Sequence, residues 1–261
     1  MRRKLIVKIV SMSFVGLMIF AMVNELYALD IDMVKIPGKN YSVMKTEVTQ
    51  NLYETIMGKN PAYFSWTNKY LSKDQLLSGS TFDYPVENVS WYDAIYFCNT
   101  LSESLGYTPV YLLNGEADVT KWNYKPHEDK EVNGYIEQNL SANGFRLPTL
   151  KEWQYAARGG ENYIYSGSNE LDEVAWYVDN SNGVTHPVSS KKPNGYGLYD
   201  MSGNVDEWCW DVYGCYYSLR CNCGGSWGDG GNYCKVDSRY NNNADGRYNF
   251  IGFRIVRSTG K

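Results

Sequence analysis

Only three stretches of this 261-residue chain carry the marks of a helix, and that scarcity limits the possible folds. Thr49 precedes residues 50–57, with Gly58 as the stop. Ser90 and Asp93 form a capping-box pattern before an apolar stripe of Trp91, Ala94, Ile95, Cys98 and Leu101, which ends near Gly106. Thr149 and Glu152 repeat that pattern before Trp153, Ala156 and Ala157, with Gly159 and Gly160 as the stop. In each case a side-chain oxygen can satisfy amides that the first helical turn leaves unpaired. Elsewhere the chain is rich in Gly, Asn and Tyr and offers only short strand-like runs. Residues 34–36 and 41–44 could pair, and residues 252–256 alternate as a single late strand. There is no repeat of solenoid period and no Pro-rich linker. Residues 29–261 therefore read as one α+β domain with long irregular segments, which in compact domains usually serve function.

Composition removes several classes. The chain is 43% apolar and 15% aromatic, which is incompatible with intrinsic disorder. Six Cys are too sparse over this length for a disulfide scaffold. A net charge of −4 gives no support for nucleic-acid binding, and two His without clustered Cys–His spacing argue against a zinc enzyme.

The first residues predict export. Arg2, Arg3 and Lys4 precede an apolar run over 9–23, and Leu26-Tyr27-Ala28 offers a cleavage site, the layout of a secretory signal peptide over 1–28. The run is shorter than the ~20 residues that a membrane span needs. An uncleaved anchor is the alternative. Cleavage would leave a net charge of −7. No second run approaches spanning length, so no membrane span is expected after signal removal. The expected location is the cell surface, the periplasm or the medium, where disulfides can form.

The motifs in order then carry a resemblance. They include Met44-Lys45-Thr46-Glu47, Pro85-Val86-Glu87-Asn88-Val89-Ser90-Trp91 and Gly144-Phe145-Arg146-Leu147-Pro148-Thr149. Glu152-Trp153, Ala156-Ala157-Arg158-Gly159-Gly160, Asn194-Gly195-Tyr196-Gly197-Leu198-Tyr199-Asp200 and Gly203-Asn204-Val205 follow. Glu207-Trp208, Gly224-Gly225-Ser226-Trp227 and Gly252-Phe253-Arg254 complete the series. Spanning residues 33–257, it resembles the formylglycine-generating-enzyme (sulfatase-modifying factor) family. The resemblance implies a C-type lectin fold of that subtype: a small twisted antiparallel sheet, two or three helices and much irregular loop.

Oxidase members of that family hold copper with two Cys just after the Gly-Gly-Ser-aromatic motif. A thiolate pair suits that soft ion. Here the first position aligns with Asp229 and the second with Cys234, so the resemblance implies no catalytic residues and no required cofactor. The iron site of other branches needs His residues that the C-terminal region lacks. The resemblance also implies a structural calcium site with side-chain oxygens of Asp200 and Glu207 and backbone carbonyls of Gly203 and Val205. The plainer alternative is that Asp200 and Glu207 cap turns.

Residues 213–250 stand apart. Gly, Tyr, Asn, Cys, Asp and Ser make up 29 of these 38 residues, while Glu, Gln, Thr, Ile, Met, Pro and His are absent. Randomising the two adenines of an Asn codon yields this set and never Lys, Glu, Gln, Met, Trp or a stop. The segment thus resembles the variable region of proteins diversified by retroelements through adenine-directed mutagenesis. Tyr supplies rigid contact area, while Asn, Ser and Gly supply adaptable hydrogen bonding, as in antibody loops. The predicted ligand-binding surface comprises Tyr213, Cys215, Tyr216, Tyr217, Cys221, Cys223, Gly228, Asp229, Gly230, Gly231, Tyr233, Ser238, Tyr240, Asn241, Asn242, Asn243, Gly246, Tyr248 and Phe250. Its partner would be a protein or other surface ligand. The alternatives are an undiversified family member with a binding or structural role, and a copper-dependent oxidase.

Runs such as Tyr216-Tyr217 and residues 240–243 show neither strand nor helix period. Cys209 and Cys234 flank the segment as a possible disulfide or as two buried thiols, and Cys215, Cys221 and Cys223 read as products of diversification. Arg146, Arg239 and Arg254 are expected to pin loops through carbonyls. Trp91, Trp153, Trp208 and Trp227 are expected in the core.

Overall fold

The computed structural model describes residues 31–65, 68 and 83–259. The expected signal peptide lies outside these residues. The three sequence-marked helices form where their caps place them. Helix α1 (Gln50–Met57) starts at Thr49, whose Oγ1 accepts from Leu52 N at 3.2 Å, and stops at Gly58 with φ 71°. That positive φ costs an L side chain but not Gly. Helix α2 (Trp91–Ser104) has the reciprocal box: Asp93 N donates to Ser90 Oγ at 3.0 Å and Ser90 N to Asp93 Oδ2 at 2.9 Å. Helix α3 (Leu150–Arg158) repeats it with Thr149 and Glu152. A short helix α4 (Leu171–Val174) has no side-chain cap and was not legible in the sequence.

Among the described residues ten strands form three sheets. β1 (Met33–Lys35), β2 (Tyr41–Met44), β10 (Val256–Ser258) and β5 (Phe145–Arg146) make an antiparallel sheet in that order. β3 (Tyr111–Leu113) pairs with β4 (Ile136–Gln138). The third sheet runs β8 (Tyr240–Asn243), β7 (Tyr216–Cys223), β6 (Asp206–Tyr213), β9 (Ile251–Gly252), with β6 and β9 parallel.

Two expectations fail here. The single late strand over 252–256 is instead two strands in different sheets. The chain leaves β9, passes through Phe253, Arg254 and Ile255, all fully buried, and enters β10. Gly252 permits the crossing, because a Cβ there would sit 2.3 Å from Val86 O. Residues 216–217 and 240–243, which lack a period of their own, lie in β7 and β8. Their pairing with β6 and with each other supplies the ladder that the residue pattern does not announce.

Helix α2 is fully buried along Trp91, Ala94, Ile95, Phe97, Cys98 and Leu101. Phe97 stacks on Tyr53 at 5.2 Å and meets Phe253 edge-on at 5.3 Å, so one aromatic cluster joins α1, α2 and the β9–β10 crossing. Trp91, Trp153 and Trp208 are core residues as expected. Trp227 is only partly buried, edge-on to Phe64.

Candidate functional site

The C-terminal segment is held by anchors that the sequence did not reveal. Arg247 Nε donates to Asp93 Oδ2 at 2.7 Å, and its Nη2 donates to Asp93 Oδ1, Tyr124 Oη and Asp129 O. Burial works against the Asp93 charge, but the Arg247 hydrogen bonds and nearby positive charge hold its pKa below the ordinary carboxylate value. The Asp93 that caps α2 thus also ties down the β8–β9 connection. Trp227 Nε1 donates to Asn249 O at 3.0 Å, and Asn88 N donates to Tyr248 O at 2.9 Å. Arg220 lies 3.8 Å over the Trp91 ring and donates to Trp210 O, bracing β7 against the core.

Against this frame the predicted surface residues divide. Cys215 and Tyr216 are exposed at the β6–β7 turn, Tyr216 at 64%. Tyr217 lies in β7, and its side chain is outside the described residues. Gly228 is exposed, while Asp229, Gly230 and Gly231 are partly so. Tyr233 is exposed and its ring packs on Tyr240 at 4.9 Å. Asn241, Asn242 and Asn243 continue from Tyr240 along β8, the edge strand of its sheet. Ser238, Gly246, Tyr248 and Phe250 are partly buried, with the last two rings 5.2 Å apart.

Three members depart from the expectation. Cys221 and Cys223 are buried at 3% and 0%, in the cluster of Leu150, Trp153 and Cys209, so they are core residues. Their side chains face inward from β7, where a small apolar thiol fits. Tyr213 packs partly against the same cluster. Two of the recesses that border the segment reach members of the predicted surface. One, of about 450 Å3, joins Ser218, Asn243 and Asp245 to Tyr92 and Glu131; the other, of about 480 Å3, includes Tyr213, Cys221 and Arg239. Tyr92 and Glu131 lie too far away in sequence to have been included.

The residues aligned with the copper pair do not form a thiolate site. Asp229 Oδ2 accepts from Ser226 N at 2.9 Å and from Ser226 Oγ at 2.6 Å, closing a turn. Cys234 is fully buried beside Leu171 and Ala175. Burial above all, then the Asp229 and Asp206 charges, push its thiol up to about 12, away from the thiolate form that binds metal. A Cys209–Cys234 disulfide is also absent: both are thiols and they belong to different core clusters.

The expected calcium residues do not fit calcium. Glu207 is fully buried and both its oxygens are occupied. Arg254 Nε donates to Oε2 at 2.7 Å, Arg254 Nη2 to Oε1 at 2.6 Å, and Trp153 Nε1 to Oε2 at 2.7 Å. Asp200 Oδ2 accepts from Ser189 N at 2.7 Å, which leaves only its Oδ1 unpartnered. Gly203 and Val205 engage through their amides, Gly203 N to Gly224 O and Val205 N to Glu47 Oε1. Among the described residues no group of three or more His, Cys, Asp or Glu could hold a metal ion. What stands there is an ion-pair centre. Arg254 also donates to the carbonyls of Met44, Lys45 and Tyr199, the loop-pinning role expected of it. Arg146 pins Leu147 O but spends its main contacts on Glu152, at 2.7 Å twice.

Buried acids without full compensation make stability depend on pH. Burial raises Glu87 from 4.5 to about 8, against the lowering effect of its hydrogen bond from Phe64 N. Burial likewise raises Asp206 to about 7 and Asp200 to about 6. A carboxyl with a higher pKa folded than unfolded binds its proton preferentially in the folded state. Its contribution is therefore complete below the unfolded pKa and is lost as pH rises through the folded one. The melting temperature is expected to fall between about pH 5 and about pH 9. Glu87→Gln should recover several degrees at the alkaline end and change little at the acid end. Melts of both proteins across that range check this, and an equal effect at both ends would refute it.

The fold and these motifs define a member of a known class. A model of the "Sulfatase-modifying factor enzyme 1-like domain" matches residues 22–259, and the chain belongs to that formylglycine-generating-enzyme-like family. Its α+β architecture is the C-type lectin-like fold of the family. Among solved structures it is similar to Treponema denticola variable protein 1, at 34% identity and TM-score 0.74, covering 87% of this chain and 91% of that one. CarF matches at 33% identity and TM-score 0.68, covering 84% and 86%. Among characterised proteins, "Chaperone protein LppX" of Paenibacillus barcinonensis is 35% identical over 84% of this chain and 80% of its own length. "Inactive C-alpha-formylglycine-generating enzyme 2" of Mus musculus is 33% identical over 45% of this chain and 44% of its own. The formylglycine-generating enzyme of Streptomyces coelicolor matches at 33% over 43% and 46%.

Proposed function

We propose that this chain is an exported, non-catalytic binding protein whose ligand surface lies within residues 213–250 and is diversified by adenine-directed mutagenesis. The observation that carries the reading is a division within that segment. Tyr216, Tyr233, Asn243 and Gly228 face solvent, while Cys221, Cys223, Cys234 and Val236 face the core and Arg247 pins the backbone. Such a surface can vary without touching what holds the fold. The absence of catalysis is supported by the Asp229 turn and the buried Cys234 thiol, which offer no thiolate pair. Similarity to a variable protein and to an inactive homologue agrees with it. Export is supported by the basic start and the apolar run; among the described residues no helix is long and apolar enough to cross a membrane.

The reading has a genetic and a physical test. The neighbouring DNA should hold a near-copy of the 213–250 coding segment with adenines at the varied codons, beside a reverse-transcriptase gene. A joint Tyr216→Ala, Tyr233→Ala variant should melt close to wild type, since exposed positions change stability by no more than about 0.5 kcal/mol each. Captured surface partners should be lost, because one aromatic anchor carries about 2 kcal/mol or more of affinity. Unchanged capture by the double variant would count against this surface, and a melting drop of many degrees would make the two rings structural.

A further inference from the structure

Strand β8 is an edge of its sheet and runs through the predicted surface. Ala244 N donates to Ser218 O, and the register then sets Asn243 opposite Leu219, Asn242 opposite Arg220 and Asn241 opposite Cys221. Residues of an antiparallel pair bond inward at every second position, so Asn241 and Asn243 turn their backbone groups outward. Asn243 O accepts from Gly246 N at 2.9 Å. Asn241 N, Asn241 O and Asn243 N have no partner among the described residues. The strand carries neither the charge nor the Pro that commonly blunts an edge. Tyr240 at its start packs on Tyr233. At its end lies the recess of about 450 Å3, which Asn243 and Ser218 share with Tyr92, Glu131 and Asp245. Neither of these carboxylates makes an ion pair among the described residues. The cations closest in sequence or space are engaged elsewhere, Arg247 by Asp93 and Arg220 over the Trp91 ring. Burial above all raises the Tyr92 pKa; Arg220 opposes the rise, and the Glu131 and Asp245 charges add to it. Both carboxylates therefore act on that side chain.

We propose that β8 is a docking edge for an extended segment of a partner protein, which adds a strand along Asn241–Asn243 and places a Lys or Arg side chain in the recess of Tyr92, Glu131 and Asp245. Strand addition draws its affinity from main-chain hydrogen bonds and its selectivity from pockets beside the edge. Backbone groups are present whatever side chain a position carries, so the pairing survives a change of residue along β8. The recess sets the charge of the occupant: two unpaired carboxylates favour a cation and repel an acid, and an aromatic ring adds to the attraction. Tyr92 and Glu131 lie outside residues 213–250, so this preference persists when the segment varies. The inference rests on the reading of that segment as a ligand surface and names the kind of chain that it takes.

The test is selection of random linear peptides displayed on phage against the full chain, then titration of the strongest peptide by fluorescence anisotropy. The expected peptide holds Lys or Arg and has no Pro in its paired stretch. Replacing its basic residue by norleucine should weaken binding about tenfold, and so should the joint Glu131→Gln, Asp245→Asn variant. The two changes together should cost no more than either alone, since they remove the same contact. N-methylation of every second peptide amide should weaken binding about tenfold in one phase and little in the other. No enriched peptide, enrichment without a basic residue, or equal affinity for the wild type and the joint variant overturns the proposal. The norleucine peptide is read on the wild-type chain, so a variant that fails to fold leaves the test standing. If any of these results accompanies a captured partner that the joint Tyr216→Ala, Tyr233→Ala variant loses, the binding reading stands and strand addition alone falls.

Discussion

Arg254→Ala is expected to destabilise the protein by about 3–5 kcal/mol, as loss of one partner from a buried ion pair does. The reason lies in what it leaves behind. Glu47, Asp200 and Glu207 are all buried around this guanidinium. Burial first, then the Asp200 and Glu207 charges, already push the Glu47 carboxyl well above its ordinary pKa. Without Arg254, the Glu207 side chain keeps only the Trp153 donor, the carbonyls of Met44 and Tyr199 lose the Arg254 donor, and Lys45 O keeps Tyr199 N. Arg254→Lys should restore only part of the loss, because an ammonium cannot grip both Glu207 oxygens and three carbonyls at once. Urea denaturation of the two variants measures both claims. A loss under about 1 kcal/mol for Arg254→Ala would show that the centre tolerates an unpaired carboxylate.

Trp153→Ala should cost a similar ~3–5 kcal/mol, for a different reason. The indole is 1% exposed, packs against Gly224 and the buried cysteines, and donates to Glu207 at 2.7 Å. Removing it opens a cavity in the core and takes one of two donors from Glu207 Oε2, leaving Arg254 Nε. Trp153→Phe keeps most of the ring and loses the donor, so it separates packing from hydrogen bonding. Trp153 and Arg254 both act on Glu207, so their losses should not add in the double variant. Additivity within error would mean that the two residues support the fold independently.

How much of this was legible in advance differs by element. Helices α1, α2 and α3 were, because their caps are local: Ser90 and Asp93, or Thr149 and Glu152, satisfy one another within three residues of chain. β1 and β2 were also legible, since they lie close together in sequence and pair with each other. β7 and β8 were not. The Tyr, Asn and Cys of these strands alternate in no readable way, and the strands exist because β6, with Trp208 and Cys209 in the core, offers them a ladder. The candidate surface was legible as a composition and not as a geometry. Counting residue types marked 213–250, but type alone could not show that Cys215 is exposed while Cys221 and Cys223 are buried.

By itself the sequence determined the family and the starts and stops of α1, α2 and α3, and it set Asp229 where the resemblance implies the first copper Cys. These are matters of residue identity and short spacing, which need no partner from elsewhere in the chain. Tertiary structure decided what depends on contacts across long separations. It gave both oxygens of Glu207 to Arg254, 47 residues away. It joined Arg247 to Asp93 across 154 residues to hold the C-terminal segment in place. It also divided the late strand between two sheets, because the chain must cross the core to complete both ladders. A buried charge must find an opposite charge or a donor within a few ångströms, and only the folded chain determines which residues come that close.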